Sequence, residues 1–177
     1  MNTSGKLLMI VAAIAALTTA CGGRSIQAET SQANATTVSY RAVLGKSLND
    51  EDVLAFLADN NCSEASYLFL CREVGMALSI SSNEAVQTIY LYLNNAGEFA
   101  PYKGELPFGL KYYDIKEAVE YKLKKQEIGN NGFPDEGASP DHLHYWATYH
   151  EAGMTVIYNS PFAEDEDTNI YAILITE

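Results

Sequence analysis

The residues with chemical potential gather late in the chain, in "SPDHLHYW" and just beyond it. All three histidines of the protein, His142, His144 and His150, lie between positions 142 and 150. His142 and His144 are two apart, so on a strand their side chains share a face. With Asp141 beside them they offer two imidazoles and a carboxylate, a donor set that suits zinc. Neither a cysteine pair nor an HExxH helix accompanies them, and isolated HxH pairs more often hydrogen-bond their own loop or line a binding rim. Asp165, Asp167 and Asn169 imitate the start of a calcium loop, but the glycine and glutamate such a loop needs are missing. A solvated turn is expected there. Nucleophilic catalysis has no footing either: there is no GxSxG, no phosphate loop, and no Ser or Cys beside a His in a recognisable context. No catalytic residue, no metal and no cofactor are therefore expected.

The three cysteines carry a different chemistry. The chain opens "MNTSGKLLMIVAAIAALTTA", one lysine followed by an apolar run and small residues, which describes a secretory signal peptide over residues 1–20. The apolar run from Leu7 to Leu17 is short for a bilayer span. Cys21 follows at once in "LTTACGG", and this stretch resembles the lipobox of bacterial lipoproteins. The resemblance implies that Cys21 becomes the lipidated first residue and that the protein is anchored in the bacterial cell envelope, touching membrane only through that lipid. Ordinary cleavage near Ala20 or Ala28, with release of soluble protein, is the alternative. Residues 21–40, "CGGRSIQAETSQANATTVSY", are polar and aperiodic and read as a tether. Beyond them only Cys62 and Cys71 remain. In an oxidising compartment two thiols this close most simply form a disulfide.

Charge narrows the partners. The chain carries a formal net charge of −12, and removing the signal peptide takes away Lys6 and no acid. Such a surface repels nucleic acid and anionic head groups and favours a basic protein partner. The 47% hydrophobic content and twelve tyrosines indicate a folded domain rather than disorder.

The elements that position these residues come in pairs. "YLFLCREVGMALSI" (67–80) aligns without gaps with "YWATYHEAGMTVIY" (145–158), matching Tyr67, Glu73, Gly75 and Met76 to Tyr145, Glu151, Gly153 and Met154. Met76, Leu78 and Ile80 share one strand face, as do Met154, Val156 and Tyr158. Gly75 and Gly153 stand where a tight turn needs positive φ. A further strand follows each hairpin, "VQTIYLYL" (86–93) and "IYAILIT" (170–176). A helix is expected before each: one capped by Asn49, with Leu48 stapled to Val53 and with Phe56 and Leu57 on the same apolar stripe, and one capped by Asp114, with Ile115, Ala118, Val119 and Leu123 on its stripe. Lys122, Lys124 and Lys125 suit the C-terminal dipole of the second. Pro101 and Pro107 mark the connector between them. The expected fold is α+β, two tandem helix-plus-antiparallel-meander repeats packed on a shared core. Repeat one spans 41–98, the connector 99–110, and repeat two 111–177 with an inserted loop over 124–144. Duplication lets two small halves, each unable to cover its own sheet, bury one core.

This order of elements, with "LPFGLKYYDIKEAVEYKL" opening the second half, resembles the beta-lactamase inhibitor protein-like architecture, and each half resembles small outer-membrane assembly lipoproteins. The resemblance covers about 44–176 as topology. It implies a binding or scaffolding role and brings no catalytic motif with it.

The halves differ where function can enter. From Leu57 to Tyr67 there are ten steps, and from Leu123 to Tyr145 twenty-two. Long loops inside compact domains commonly carry function. Tyr90, Tyr92, Tyr112, Tyr113, Tyr121, Tyr149, Tyr145 and Trp146 are amphipathic aromatics of the kind enriched at interfaces, and matching positions put Tyr67 and Tyr145 in the core. The partner-binding site is expected at Asp141, His142, His144, Tyr145 and Trp146. The reading is an envelope lipoprotein that binds a protein as an inhibitor, immunity protein or adaptor. A structural lipoprotein of envelope assembly is a second reading, and a small hydrolase using Asp141, His142 and His144 a third. Replacing Cys21 with Ser is expected to move the protein from the membrane pellet to the soluble envelope fraction. Unchanged partitioning would sink the anchor.

Overall fold

The computed structural model describes residues 39–94, 96–128, 134–140, 143–162 and 168–177. Helix α1, Glu51–Asp59, begins where Asp50 accepts a hydrogen bond from the Asp52 backbone N–H, so the cap sits one residue after the expected Asn49. Helix α2, Lys116–Lys125, begins after Ile115, which caps with no side chain. Asp114 does something else. Its carboxylate accepts from the Lys111 backbone N–H at 2.7 Å and from Lys122 Nζ at 2.5 Å, and it is buried. The carboxylate is engaged with Lys111 and Lys122, and α2 starts one residue later than expected.

The strands are β1 (Ser63–Ala65), β2 (Leu68–Cys71), β3 (Met76–Ile80), β4 (Val86–Tyr92), β5 (Asp135–Ala138), β6 (Tyr145–Tyr149), β7 (Met154–Tyr158) and β8 (Ile170–Thr176). They form one antiparallel sheet in the order β1-β2-β3-β4-β8-β7-β6-β5. The protein is α+β and mostly sheet. Each side of the sheet has four strands where a three-stranded meander was expected, because the edge strands "SEA" and "DEGA" are short, polar and without alternation. Strand β5 lies inside the stretch 124–144 that the sequence presents as a loop. At the other edge Cys62 and Cys71 form the expected disulfide, closing the open end of the β1–β2 pair, where Ser63 already faces Leu70.

Register assigns each residue to a face. Met76, Leu91, Ile173 and Val156 form one row across four strands, and Leu78, Ile89, Ile175 and Met154 the next. These residues share one buried cluster with Val53 and Phe56 of α1 and Val119 and Leu123 of α2. Both helices therefore cover the same face. Among the described residues the opposite face carries no helix.

Two 3₁₀ turns, Arg72–Val74 and His150–Ala152, close the β2–β3 and β6–β7 hairpins, ending in Gly75 at φ 71° and Gly153 at φ 55°. Gly75 also lets the connector pass: a Cβ there would stand 2.2 Å from the Ala100 carbonyl oxygen. Gly97, at φ 60°, has open space around the same position. Gly97→Ala is thus expected to cost about 1–2 kcal/mol from the backbone conformation alone. Gly75→Ala is expected to cost about 1–3 kcal/mol more, because main chain must move. Denaturant unfolding with the disulfide intact measures the difference, and equal losses would contradict it.

Candidate functional site

The expected site residues part company in the fold. Cys21, Asp141 and His142 lie outside the described residues, as do Asp165 and Asp167 of the acidic run. His144 is committed to its loop. Its backbone N–H donates to Ser139 Oγ at 3.0 Å, its carbonyl accepts from the Ser139 N–H at 2.7 Å, and Nδ1 lies 3.0 Å from the Tyr158 carbonyl oxygen. A carbonyl only accepts, so Nδ1 donates. Tyr145 and Trp146 are neighbours on β6 and therefore point to opposite faces. Tyr145 lies against α2 and is 9% exposed, whereas Trp146 sits half-buried on the open face. Tyr67, expected in the core by its match to Tyr145, is 81% exposed in the tight turn between β1 and β2. Among the described residues no group of three His, Cys, Asp or Glu side chains is placed to hold a metal ion.

The open face draws together a different set. Register lines up Leu70, Ala77, Tyr90, Leu174, Thr155 and Thr148 across six strands. The row beside it runs Tyr92, Ala172, Ile157, Trp146 and Gly137, and on the other side Leu68, Ser79 and Thr88 continue the surface. None of these positions is charged; among the described residues charge stands at the borders, at Asp135 on one edge strand and at Arg72 beside the other, where its Nη1 donates to Ser63 Oγ at 2.6 Å. Tyr90 and Tyr92 stack at 6.4 Å, and Phe99 from the connector lies 4.4 Å from the Tyr92 ring. Tyr171 is the residue skipped where the β7–β8 register shifts. It adds to the forces that raise the Tyr92 phenol pKa, after burial and Tyr90, and the His144 ring stacks on it at 4.3 Å. Trp146 crosses the edge strand over Gly137, where a Cβ would stand 3.2 Å from Cζ2. The Thr148 and Thr155 hydroxyls pair at 2.9 Å, which satisfies them within the face.

No family model matches the chain, and no curated protein or solved structure matches it.

Tyr171, Phe99, Leu174 and Ile157 were not singled out in the sequence, although one signal was there. "IYAILIT" is apolar at nearly every position, and a strand with only one apolar face would alternate.

Beneath α2 lies a polar cluster on the covered face. Lys116 Nζ pairs with Glu136 of β5 and, at 3.7 Å, with Glu120, and stands 5.7 Å from the Tyr145 ring centroid. Burial opposes the Lys116 charge, but hydrogen bonds with Glu136 and Tyr145 outweigh it and hold the amine above its usual range. The same bonds, that from Lys116 first, lower the Glu136 pKa. Tyr145 is pushed up to about 12, by burial first and then by Glu136, with Lys116 working the other way. The buried hydroxyls of Tyr149 and Tyr158 interact with each other, and burial first drives both phenols upward, with Tyr158 opposing the rise at Tyr149 and Tyr149 adding to it at Tyr158. A neutral buried phenol stabilises the fold fully below the unfolded tyrosine pKa of about 10. That contribution is lost as pH rises through the folded value. Stability is expected to hold to about pH 10 and to fall towards pH 12, with a class of tyrosines ionising late and together with unfolding. A tyrosinate absorbance titration alongside denaturation checks it, and normal ionisation of every tyrosine in folded protein would refute it.

Proposed function

We propose that this protein is a bacterial envelope lipoprotein, anchored through Cys21, that binds another protein on the open face of its sheet. The observation that carries the reading is an uncharged, aromatic and aliphatic face crossing six strands of a chain whose net charge is −12. Surfaces of soluble domains are rarely this poor in charge over such an extent, and contiguous apolar patches mark interaction sites. Tyr90, Tyr92, Trp146 and Tyr171 sit on strands rather than loops, so little side-chain or loop ordering opposes association. The acidic remainder of the surface steers a basic partner towards it. We also read the two helix-led halves as tandem repeats. The ungapped match of 67–80 to 145–158 and the two glycine-ended 3₁₀ turns at the same place in it support that reading. The resemblance to the beta-lactamase inhibitor protein-like architecture is in keeping with a binding role of the inhibitor, immunity or adaptor kind.

The site moves with the structure. Trp146 and His144 stay in it, joined by Tyr90, Tyr92, Tyr171 and Leu174, while Tyr145 leaves it for the covered face. Capture from envelope extracts on immobilised protein identifies the partner, and purified partner then gives affinities. Trp146→Ala and Tyr90→Ala are each expected to weaken binding by about 2 kcal/mol, roughly thirtyfold, as central aromatic anchors do. Tyr67→Ala, in the exposed turn off this face, is the control and is expected to leave affinity unchanged. If Trp146→Ala and Tyr90→Ala together bind the partner as tightly as the parent protein while folding normally, the face is not the interface.

A further inference from the structure

A cleft of about 840 Å³ opens near the start of the described chain, between the C-terminal end of α1, the turn after β2 and the connector. It is distinct from the open face, because its floor is formed by core residues of the helix-covered side. Phe56 and Met76, which are almost fully buried, line it, so the cleft reaches the hydrophobic core. Tyr102 and Phe108 line it from the connector. That wall is fixed at both ends. The Tyr102 backbone N–H donates to the Tyr92 carbonyl at 2.6 Å and the Ala100 N–H to the Arg72 carbonyl at 2.9 Å. From α2, Gln126 Nε2 donates to the Phe108 carbonyl at 3.0 Å and Lys122 Nζ to the Gly109 carbonyl at 3.2 Å.

Two features separate this cleft from a packing defect. The first is Phe108 itself, held at φ 55° and ψ 21°. A bulky residue enters that left-handed region only when its surroundings impose it, and such strain concentrates at ligand sites. The second is charge. Arg41 and Lys103 both line the cleft, and among the described residues neither pairs with a carboxylate. Lys46, Arg72, Lys116 and Lys122 are paired with acids, and the other described cations with no acid partner among the described residues, Lys111, Lys124 and Lys125, lie away from the cleft. The Arg41 guanidinium instead stands 5.9 Å from the centroids of both the Tyr40 and Phe108 rings. An aromatic-backed guanidinium with unused donors is a receptor for a planar anion.

We infer that this cleft is a second binding site, for a small monocarboxylate with an apolar or aromatic body. The body lies over Phe56 and Met76 between aromatic walls, and the carboxylate meets the Arg41 fork, with Lys103 adding positive charge on the same rim. Glu73 and Glu105 also line the cleft and repel polyanions, which rules against nucleotides and phosphorylated ligands. The volume falls within the roughly 300–1,000 Å³ of small-molecule sites.

The test is an amide NMR titration of the full chain with 3-phenylpropionate, and with 3-phenylpropanol, which keeps the body and removes the charge. Saturable shifts are expected at Arg41, Met76, Tyr102 and Phe108 and not at Ile157 or Trp146. The alcohol is expected to bind at least about tenfold more weakly, as is the acid to Arg41→Ala. Lys103→Ala, an exposed change on the connector, is expected to weaken the acid severalfold and serves if the first variant misfolds. Absence of saturable shifts, shifts centred on the open face, or equal binding of acid and alcohol would each overturn the assignment.

Discussion

The pairing of Val86–Tyr92 with Ile170–Thr176 is the joint on which the rest of the molecule depends. It places Ile89 opposite Ile175 and Leu91 opposite Ile173, so the most deeply buried strands of the two sides meet at the centre of one sheet. Without that pairing each four-strand half would expose an apolar edge strand and a core too small to stand alone. With it, α1 and α2 lie over a common floor. The same joint fixes what is left uncovered, since the two helices described occupy only one face of eight strands.

The two edges of this sheet are secured by different means. On one, a disulfide joins Cys71, the last residue of β2, to Cys62 beside β1. In the sequence match Cys71 corresponds to Tyr149, and at the other edge the cross-link gives way to contacts between side chains. Glu136 of β5 is tied to α2 through Lys116, Trp146 lies over Gly137, and Asp135 meets His150 at 2.7 Å in an exposed pair. A disulfide closing so short a loop contributes about 2–3 kcal/mol. Exposed ion pairs contribute less than about 1 kcal/mol each. The second edge is thus the softer one, and it lies beside Trp146 at the end of the aromatic row. An edge held by side-chain contacts can shift without loosening the central joint.

A face this apolar is tempered by pairing within it and by charge at its borders. Thr148 and Thr155 bond each other, the Tyr92 ring is half covered by Phe99, and Asp135 places charge at the border. The same economy operates on the helix side, where Asp114 closes its own turn and binds Lys122 rather than capping α2. The hydroxyls of Tyr149 and Tyr158 are buried on this side too, in the same core cluster as Val119 and Leu123 of α2.

Much of this was legible in the residues. Alternation in "GMALSI" and "GMTVIY", the two glycines at their turns and the paired thiols at 62 and 71 fixed the hairpins, the turn geometry and the cross-link, because each is a local constraint written in adjacent side chains. The polar edge strands Ser63–Ala65 and Asp135–Ala138 were not legible, since their pairing comes from a neighbour and not from any pattern of their own. Nor was the fate of Asp114, which turned on a lysine eight residues away. The candidate site shows the limit most clearly. The sequence grouped Tyr145 and Trp146 in one site, whereas strand β6 turns them to opposite sides of the sheet. Which of those sides the helices would cover was decided only when the two halves met at the central joint. A period of two assigns residues to faces, but only tertiary packing decides which face becomes core and which meets solvent.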